Sequence, residues 1–117
     1  MDIVLNNSIS TPLYLQIYDQ ILAQIVTGIL PPHYCLPSIR AIARELGISV
    51  ITVKNAYELL EKNGYIYTLA GKGCFISPHS INEKSKLISQ EIENIKQFCI
   101  ENDISTEEII IALKSQI

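Results

Sequence analysis

Hydroxyl and basic side chains recur in the middle of this 117-residue chain at positions where they could bind a polyanion. Such groups donate hydrogen bonds to phosphate oxygens and to the edges of nucleic-acid bases. A later glycine-lysine-glycine triplet adds one cation on a backbone that can approach a phosphate or a minor groove closely. Together with one apolar neighbour, the candidate DNA-binding residues are Ser38, Arg40, Ser49, Val50, Thr52, Lys54, Gly71, Lys72 and Gly73.

The formal net charge of −3, from 9 basic and 12 acidic residues, at first argues against a nucleic-acid partner. The charge is unevenly distributed, however. Residues 34–73 carry five Lys or Arg against three Glu, a net charge of +2, whereas residues 1–33 carry −2 and residues 74–117 carry −3. Because local charge sets the field that a phosphate backbone meets, the acidic total does not exclude DNA.

The elements that must position these residues begin with a first helix. Apolar residues at three- and four-residue spacing predict this helix over residues 11–27. Thr11 is expected to be its N-cap and Pro12 its first residue, and Gly28 is expected to end it.

Two further helices are predicted over residues 38–46 and 49–63, each beginning at a serine and separated by Gly47. Two β-prone runs, 65–69 and 74–78, flank a short glycine-bearing turn and predict a β-hairpin. Two crossing helices followed by a hairpin are typical of a winged helix-turn-helix. We therefore expect an α+β, mostly α fold, with a DNA-binding domain over residues 1–78.

The remaining residues, 79–117, are predicted to form a helical dimerisation tail of two helices. Its first helix carries apolar residues at spacings of four, three and four, which is typical of a helix that packs on another helix. A capping box from Ser105 to Glu108 opens the second helix. The chain is 48% apolar and contains 22 Ile, more than a small monomer buries easily, so a homodimer is expected. The predicted interface residues are Ile88, Ile92, Ile95, Cys99, Ile110 and Leu113.

The chain resembles the GntR family of bacterial transcription regulators through motifs that occur together. These are L-P-S-I-R over residues 36–40, L-G-I-S over 46–49, T-V-x-x-A-Y-x-x-L-E-x-x-G over 52–64 and G-K-G-x-F over 71–75. With P-L-Y-x-Q-I at 12–17, the resemblance covers about residues 10–77. The short tail is similar to that of the YtrA-like subfamily, which implies a homodimeric repressor that acts on a pseudo-palindromic operator near a transporter operon.

The resemblance implies DNA contacts by Arg40, Ser49, Thr52 and Lys54, by the hairpin residues Gly71 and Lys72, and by Ser38 as a backbone contact. Two positions depart from the family pattern. Val50 stands where the family often has a base-reading arginine, so that base contact is either lost or replaced by apolar contact with a thymine methyl group. His33 and Tyr34 replace the Gly-Asp pair that often precedes the L-P-S motif.

The same sequence leaves two other functions open. The winged helix could instead bind proteins, or the chain could be a thiol- or metal-responsive regulator that uses Cys35 or Cys74. His33 and Cys35, with Cys74 or His79, could be imagined as metal ligands, but they lack a paired metal-binding motif. We therefore expect no metal and no cofactor. The sequence shows no catalytic constellation, so the chain is not expected to be an enzyme.

Three widely spaced cysteines without a C-x-x-C motif favour reduced thiols. The sequence shows no signal-peptide pattern and no long apolar run, so we expect a cytoplasmic protein without a membrane span. Arg44 is predicted to be a solvated charge and Lys62 a helix-end charge. The sequence leaves open whether an unknown small-molecule effector acts on the chain.

Overall fold

A computed structural model describes residues 1–78 and 81–115, with the backbone alone for residues 81–85. The chain divides into two units, Met1–Ser85 and Lys86–Ile117. Its elements are α1 (Leu13–Val26), α2 (Ile39–Leu46), α3 (Val50–Lys62), β1 (Ile66–Leu69), β2 (Gly73–Ile76), α4 (Ile81–Asn102) and α5 (Thr106–Ser115). The predicted mostly helical α+β class is confirmed. The domain boundary predicted after residue 78 stays a prediction.

Helix α1 packs on α3 through a stripe of fully buried isoleucines. They are Ile17, Ile21 and Ile25. The predicted cap at Thr11 is wrong, because Pro12 is the N-cap residue and no side chain caps the helix. Pro12 has a ψ of 147°, which keeps it outside the helix and leaves Leu13 as the first helical residue. Gly28, at φ +81°, follows the helix end as expected.

Helices α2 and α3 form the helix-turn-helix, and both predicted serine caps are confirmed. Ser38 Oγ accepts a hydrogen bond from the Ala41 amide at 3.1 Å, and Ser49 Oγ accepts one from the Thr52 amide at 3.1 Å. Gly47 lies between the helices at φ +67°, a left-handed conformation that favours glycine. The two helices contribute Ile42, Ala43, Val53, Ala56, Tyr57 and Leu60 to the core.

Strands β1 and β2 form the predicted antiparallel hairpin, here called the wing, with Ile66 opposite Ile76 and Leu69 opposite Gly73. Each strand has four residues and is shorter than predicted, and Gly73 belongs to β2 rather than to the turn. Cys35 pairs with Phe75 in an isolated antiparallel bridge. The bridge attaches the segment before α2 to the outer side of β2.

Three glutamines of α1 bind the backbone of the segment that precedes the helix, a feature that sequence reasoning missed. Gln16, which is buried, accepts from the Asn6 amide and donates to the Asn6 and Thr11 carbonyls, each at 2.9 Å. Gln20 binds the Val4 amide at 2.8 Å and the Val4 carbonyl at 2.7 Å, and Gln24 donates to the Asp2 carbonyl at 2.8 Å. We call this set the glutamine ladder. Alternate residues of the segment, Met1, Ile3 and Leu5, pack against the core.

The second unit contains most of α4 and all of α5. The predicted capping box is confirmed, because Glu108 donates its amide to Ser105 Oγ at 3.2 Å and accepts from the Ser105 amide at 3.3 Å. Cys99 is 5% exposed and therefore covered within its own chain. The apolar residues that remain exposed in α4 and α5 include Leu87, Ile88, Ile92, Ile95, Phe98, Ile110, Ile111 and Leu113. None of the described helices combines the length and the apolar composition that a membrane span requires.

Candidate nucleic-acid interface

The first turn of α3 is the exposed edge of the helix-turn-helix. Val50 is 45% exposed and Ile51 is 68% exposed. Ser49 and Thr52 join their hydroxyls in a 2.7 Å hydrogen bond, and Ser49 also caps the helix. Because capping and phosphate binding use the same end of a helix, this turn can meet a phosphate while its side chains face a groove.

Lys54 follows on α3 and forms the one ion pair found among the described residues. Its ammonium lies 3.8 Å from a Glu58 carboxylate oxygen, and both side chains are more than half exposed. An exposed pair at this helical spacing contributes only about 0.3–0.5 kcal/mol. Lys54 can therefore exchange Glu58 for a phosphate at little cost.

Arg40 lies with Arg44 and Val50 around an open cleft of about 540 Å³ between α2 and α3. Ala43 and Ile48 complete its lining. The sequence predicted Arg44 to be a solvated charge only. It is indeed exposed, but it shares this cleft with two predicted DNA-binding residues. The signal was available in the sequence, because Arg40 and Arg44 are four residues apart and so share one helix face.

A second cleft, of about 380 Å³, brings the wing to the start of α2. Ser38 and Arg40 line it from α2, and Lys72 and Gly73 line it from the wing. Gly71 at φ +75° and Gly73 at φ +121° hold conformations that side chains with a Cβ rarely adopt. The wing turn closes with the Lys72 amide donating to the Leu69 carbonyl at 2.9 Å. The structure thus brings Arg40 and Lys72, 32 residues apart in the chain, to one cleft.

Tyr57 ties α3 to the residue that precedes the Ser38 cap. It is 3% exposed, and its hydroxyl donates to the Pro37 carbonyl at 2.7 Å. Burial raises the pKa of this hydroxyl well above its usual value, with further contributions from Cys74, Cys35 and Tyr34. The hydroxyl therefore keeps its proton and remains a donor at physiological pH. Sequence reasoning missed this bond, because it joins residues 20 positions apart.

Cys35, Cys74 and His33 lie around the wing. Cys35 Sγ lies 3.6 Å from the position that a Cβ on Gly73 would occupy, and Cys74 Sγ lies 3.4 Å from Thr68 Oγ1. His33 Nδ1 forms a 2.7 Å hydrogen bond with the Tyr67 hydroxyl. Among the described residues, no three His, Cys, Asp or Glu side chains are grouped closely enough to share a metal ion. His79 lies outside the described residues.

The residues predicted to bind DNA and those predicted to form the dimer lie in different parts of the chain. All nine predicted DNA-binding residues lie in the first unit, at the start of α2, along the first half of α3 and at the turn of the wing. The predicted dimer residues all lie in the second unit, where Ile88, Ile92, Ile95, Ile110 and Leu113 are exposed. Cys99 is the exception, since it is buried there.

Comparison with known sequences places this site in a family. Residues 13–76 match the family described as bacterial regulatory proteins, gntR family. The chain is 35% identical to the transcriptional repressor NagR of Bacillus subtilis over 92 residues, which cover 79% of this chain and 38% of NagR. It is 39% identical to the repressor YtrA of the same organism over 88 residues, covering 75% of this chain and 65% of YtrA. The chain therefore spans less than two thirds of either relative.

Solved structures share the fold. YtrA from Sulfolobus acidocaldarius, a GntR-family transcription factor, superposes with a TM-score of 0.62 at 33% identity, covering 78% of this chain and 97% of that one. AraR(DBD), crystallised in complex with operator ORR3, superposes with a TM-score of 0.56 at 25% identity, covering 66% of this chain and 93% of that one.

Proposed function

This chain belongs to the GntR family of bacterial regulatory proteins and is a YtrA-like, DNA-binding regulator of transcription, and we propose that it acts as a homodimeric repressor. The family and the relatives that the chain matches are regulators of transcription and not enzymes. The observation that carries the proposal is the joint exposure of the first turn of α3 beside Arg40, Lys54 and Lys72.

In the proposed complex, α3 enters the major groove with residues 49–54 foremost. Arg40 contacts the flanking backbone or a base edge from the start of α2, and Lys72 reaches the neighbouring backbone or minor groove from the wing. Ser38 and Ser49 present capped helix ends to phosphates. Because these contacts are largely ionic, binding should weaken as the salt concentration rises. A plot of the logarithm of the association constant against the logarithm of the salt concentration should have a negative slope, steeper by about 0.9 for each phosphate neutralised.

The proposed homodimer forms through the helical tail. Exposed apolar side chains recur along α4 at Ile88, Ile92 and Ile95, and Ile110 and Leu113 are exposed on α5. Contiguous exposed apolar surface of this kind marks interaction sites. A two-fold dimer predicts a pseudo-palindromic operator whose half-sites lie about 34–36 Å apart or a multiple of that distance. Tethering two half-site contacts raises the operator affinity without any new contact.

The target genes and any effector are proposed from the resemblance alone. We propose that the operator lies near a transporter operon close to the gene for this chain, and that an effector, where one acts, is a small molecule that releases the dimer from this operator. Footprinting of the purified chain on the intergenic DNA around its own gene tests this proposal. Protection confined to a palindromic site beside transporter genes would support it, and protection only elsewhere would contradict it.

DNA binding is tested by fluorescence anisotropy with labelled promoter DNA. We expect specific binding that Arg40→Ala weakens by about 1–3 kcal/mol. Lys54→Ala should also weaken binding, whereas Lys62→Ala, at the opposite end of the same helix, should change the affinity less than twofold. Equal affinity for operator and unrelated DNA, unchanged by Arg40→Ala, would contradict the proposal.

The dimer is tested separately by sedimentation equilibrium. We expect the wild-type chain to have twice the 13.1 kDa mass of one copy. Ile92→Asp should shift the equilibrium towards the monomer, because a carboxylate would be buried without a partner at the interface. Ile100→Asp is the matched control, since Ile100 is a more exposed isoleucine on another face of α4. A wild-type monomer at all concentrations, or equal effects of both substitutions, would refute this interface.

A further inference from the structure

The first turn of α3 presents an apolar surface where a DNA-reading helix usually presents hydrogen-bonding groups. Val50 and Ile51 are its first two helical residues, and both are exposed. The hydroxyls on either side are engaged with each other, because Ser49 Oγ and Thr52 Oγ1 form a 2.7 Å hydrogen bond. The leading surface of α3 therefore consists mainly of two branched hydrocarbon side chains, because the hydroxyls beside them use one donor on each other and Ser49 also caps the helix.

The major groove offers one hydrocarbon group to such a surface, the 5-methyl group of thymine. The guanine, adenine and cytosine edges present acceptors and donors there. Covering one of those groups with Val50 or Ile51 would remove its water without replacing the hydrogen bond, which is unfavourable. A thymine methyl group instead loses contact with water at no polar cost.

We propose that Val50 and Ile51 read thymine methyl groups in each half-site, so that the operator requires T·A pairs at the positions facing the first turn of α3. This inference rests on the proposed function, because it assumes that α3 enters the major groove. It goes beyond that function by naming the base and the atom that are recognised. Arg40 and Arg44, which share the cleft with Val50, supply hydrogen bonds and charge beside this apolar contact.

Replacing thymine by deoxyuridine tests the proposal, because this change removes the methyl group and keeps every hydrogen-bonding atom of the base pair. Burying one methyl group accounts for a change in affinity of about fourfold. We expect the wild-type chain to bind about fourfold more weakly when deoxyuridine replaces one contacted thymine. When both half-sites are changed, the loss should be about fifteenfold, since the two effects multiply.

Variants assign the effect to side chains. With Val50→Ala or Ile51→Ala, deoxyuridine at the thymine read by that residue should no longer change the affinity, while other thymines keep their effect. Ile29→Ala is the matched control, because Ile29 is a similarly exposed isoleucine outside α3, and it should leave the whole thymine profile unchanged. Val50→Arg should move the preference at its base pair from thymine to guanine, whose O6 and N7 accept a bidentate arginine.

The outcomes separate this inference from the proposed function. If the wild-type chain binds its operator specifically but no deoxyuridine substitution changes the affinity by more than 1.5-fold, the methyl contact is refuted and the repressor proposal stands. If no promoter DNA is bound specifically, both fail. A loss at two or more thymines that Val50→Ala or Ile51→Ala abolishes, with melting temperatures of the variants unchanged, supports the inference.

Discussion

Removing the Tyr57 hydroxyl should destabilise the first unit and weaken DNA binding together. In Tyr57→Phe the Pro37 carbonyl loses the donor that lies 2.7 Å away. A lost hydrogen bond costs about 0.5–1.5 kcal/mol, and a carbonyl left without a partner costs more. Pro37 is half-buried, so water partly replaces the hydroxyl, and we expect a loss of about 1.5 kcal/mol. For a unit of this size the melting temperature should fall by roughly 6–12 °C.

The same bond should matter for DNA because Pro37 precedes Ser38, which caps α2 two residues before Arg40. A looser start of α2 leaves Arg40 less ordered before binding, and ordering such a side chain costs about 0.5–1.5 kcal/mol. We therefore expect the operator affinity of Tyr57→Phe to fall by about two- to fivefold. Calorimetry and anisotropy on the same preparations measure both effects.

Tyr18→Phe provides the matched control. It removes a hydroxyl that accepts from Asn63 Nδ2 at 2.8 Å in an exposed setting, so the loss should stay below about 0.5 kcal/mol. A pH series adds a second signature. Because burial raises the pKa of Tyr57, its stabilising effect is complete below the ordinary value of 10.0 and declines as the pH rises above it. Equal melting temperatures for the wild type and Tyr57→Phe at neutral pH would refute this reasoning.

Three further predictions concern other contacts. Gln16→Ala removes three hydrogen bonds from a buried side chain and should destabilise the first unit by about 2 kcal/mol in urea unfolding, whereas Gln24→Ala, which removes one exposed bond, should cost less than about 0.5 kcal/mol. Arg44→Ala should weaken binding to all DNA sequences alike and make the salt dependence of the DNA-binding constant less steep by about one. An unchanged salt dependence would show that Arg44 is a solvated charge that does not contact phosphate. Gly47→Ala should lower the free energy of unfolding by about 1 kcal/mol, because the left-handed conformation between α2 and α3 suits glycine, and an equally stable variant would contradict this.

Local chemistry allowed much of the fold to be predicted. Ser38 and Ser49 cap their helices because a hydroxyl can reach the free amides of the first turn, and this depends on neighbours only. Glycines marked the ends of helices because they adopt a positive φ easily, which again depends on local conformation only. Thr11 failed as a cap because Pro12 keeps an extended conformation, so the helix begins one residue later.

Contacts between distant residues could not be predicted in this way. The cleft shared by Arg40 and Lys72 depends on how the wing folds back to the start of α2, and the Tyr57 bond joins residues 20 positions apart. The burial of Cys99 depends on its surroundings in the folded unit, so the regular spacing that placed it in the dimer seam could not distinguish contact within one chain from contact between two. Arg44 is a different case, because its position four residues after Arg40 puts both on one helix face and could have been read from the sequence.

The glutamine ladder fixes the alignment of two chain segments through a near match of lengths. Four residues of an α-helix advance about 6.0 Å, and two residues of extended chain advance about 6.6 Å. Glutamines four apart can therefore reach residues 6, 4 and 2 of an antiparallel segment in turn. The mismatch of about 0.6 Å per step accumulates, which limits such an arrangement to a few steps. Since the glutamines bind only backbone atoms, the side chains at positions 2 and 4 can vary, whereas the Asn6 side chain also accepts hydrogen bonds from Ser8. A shift of the segment by one residue along α1 would turn Ile3 and Leu5 away from the core.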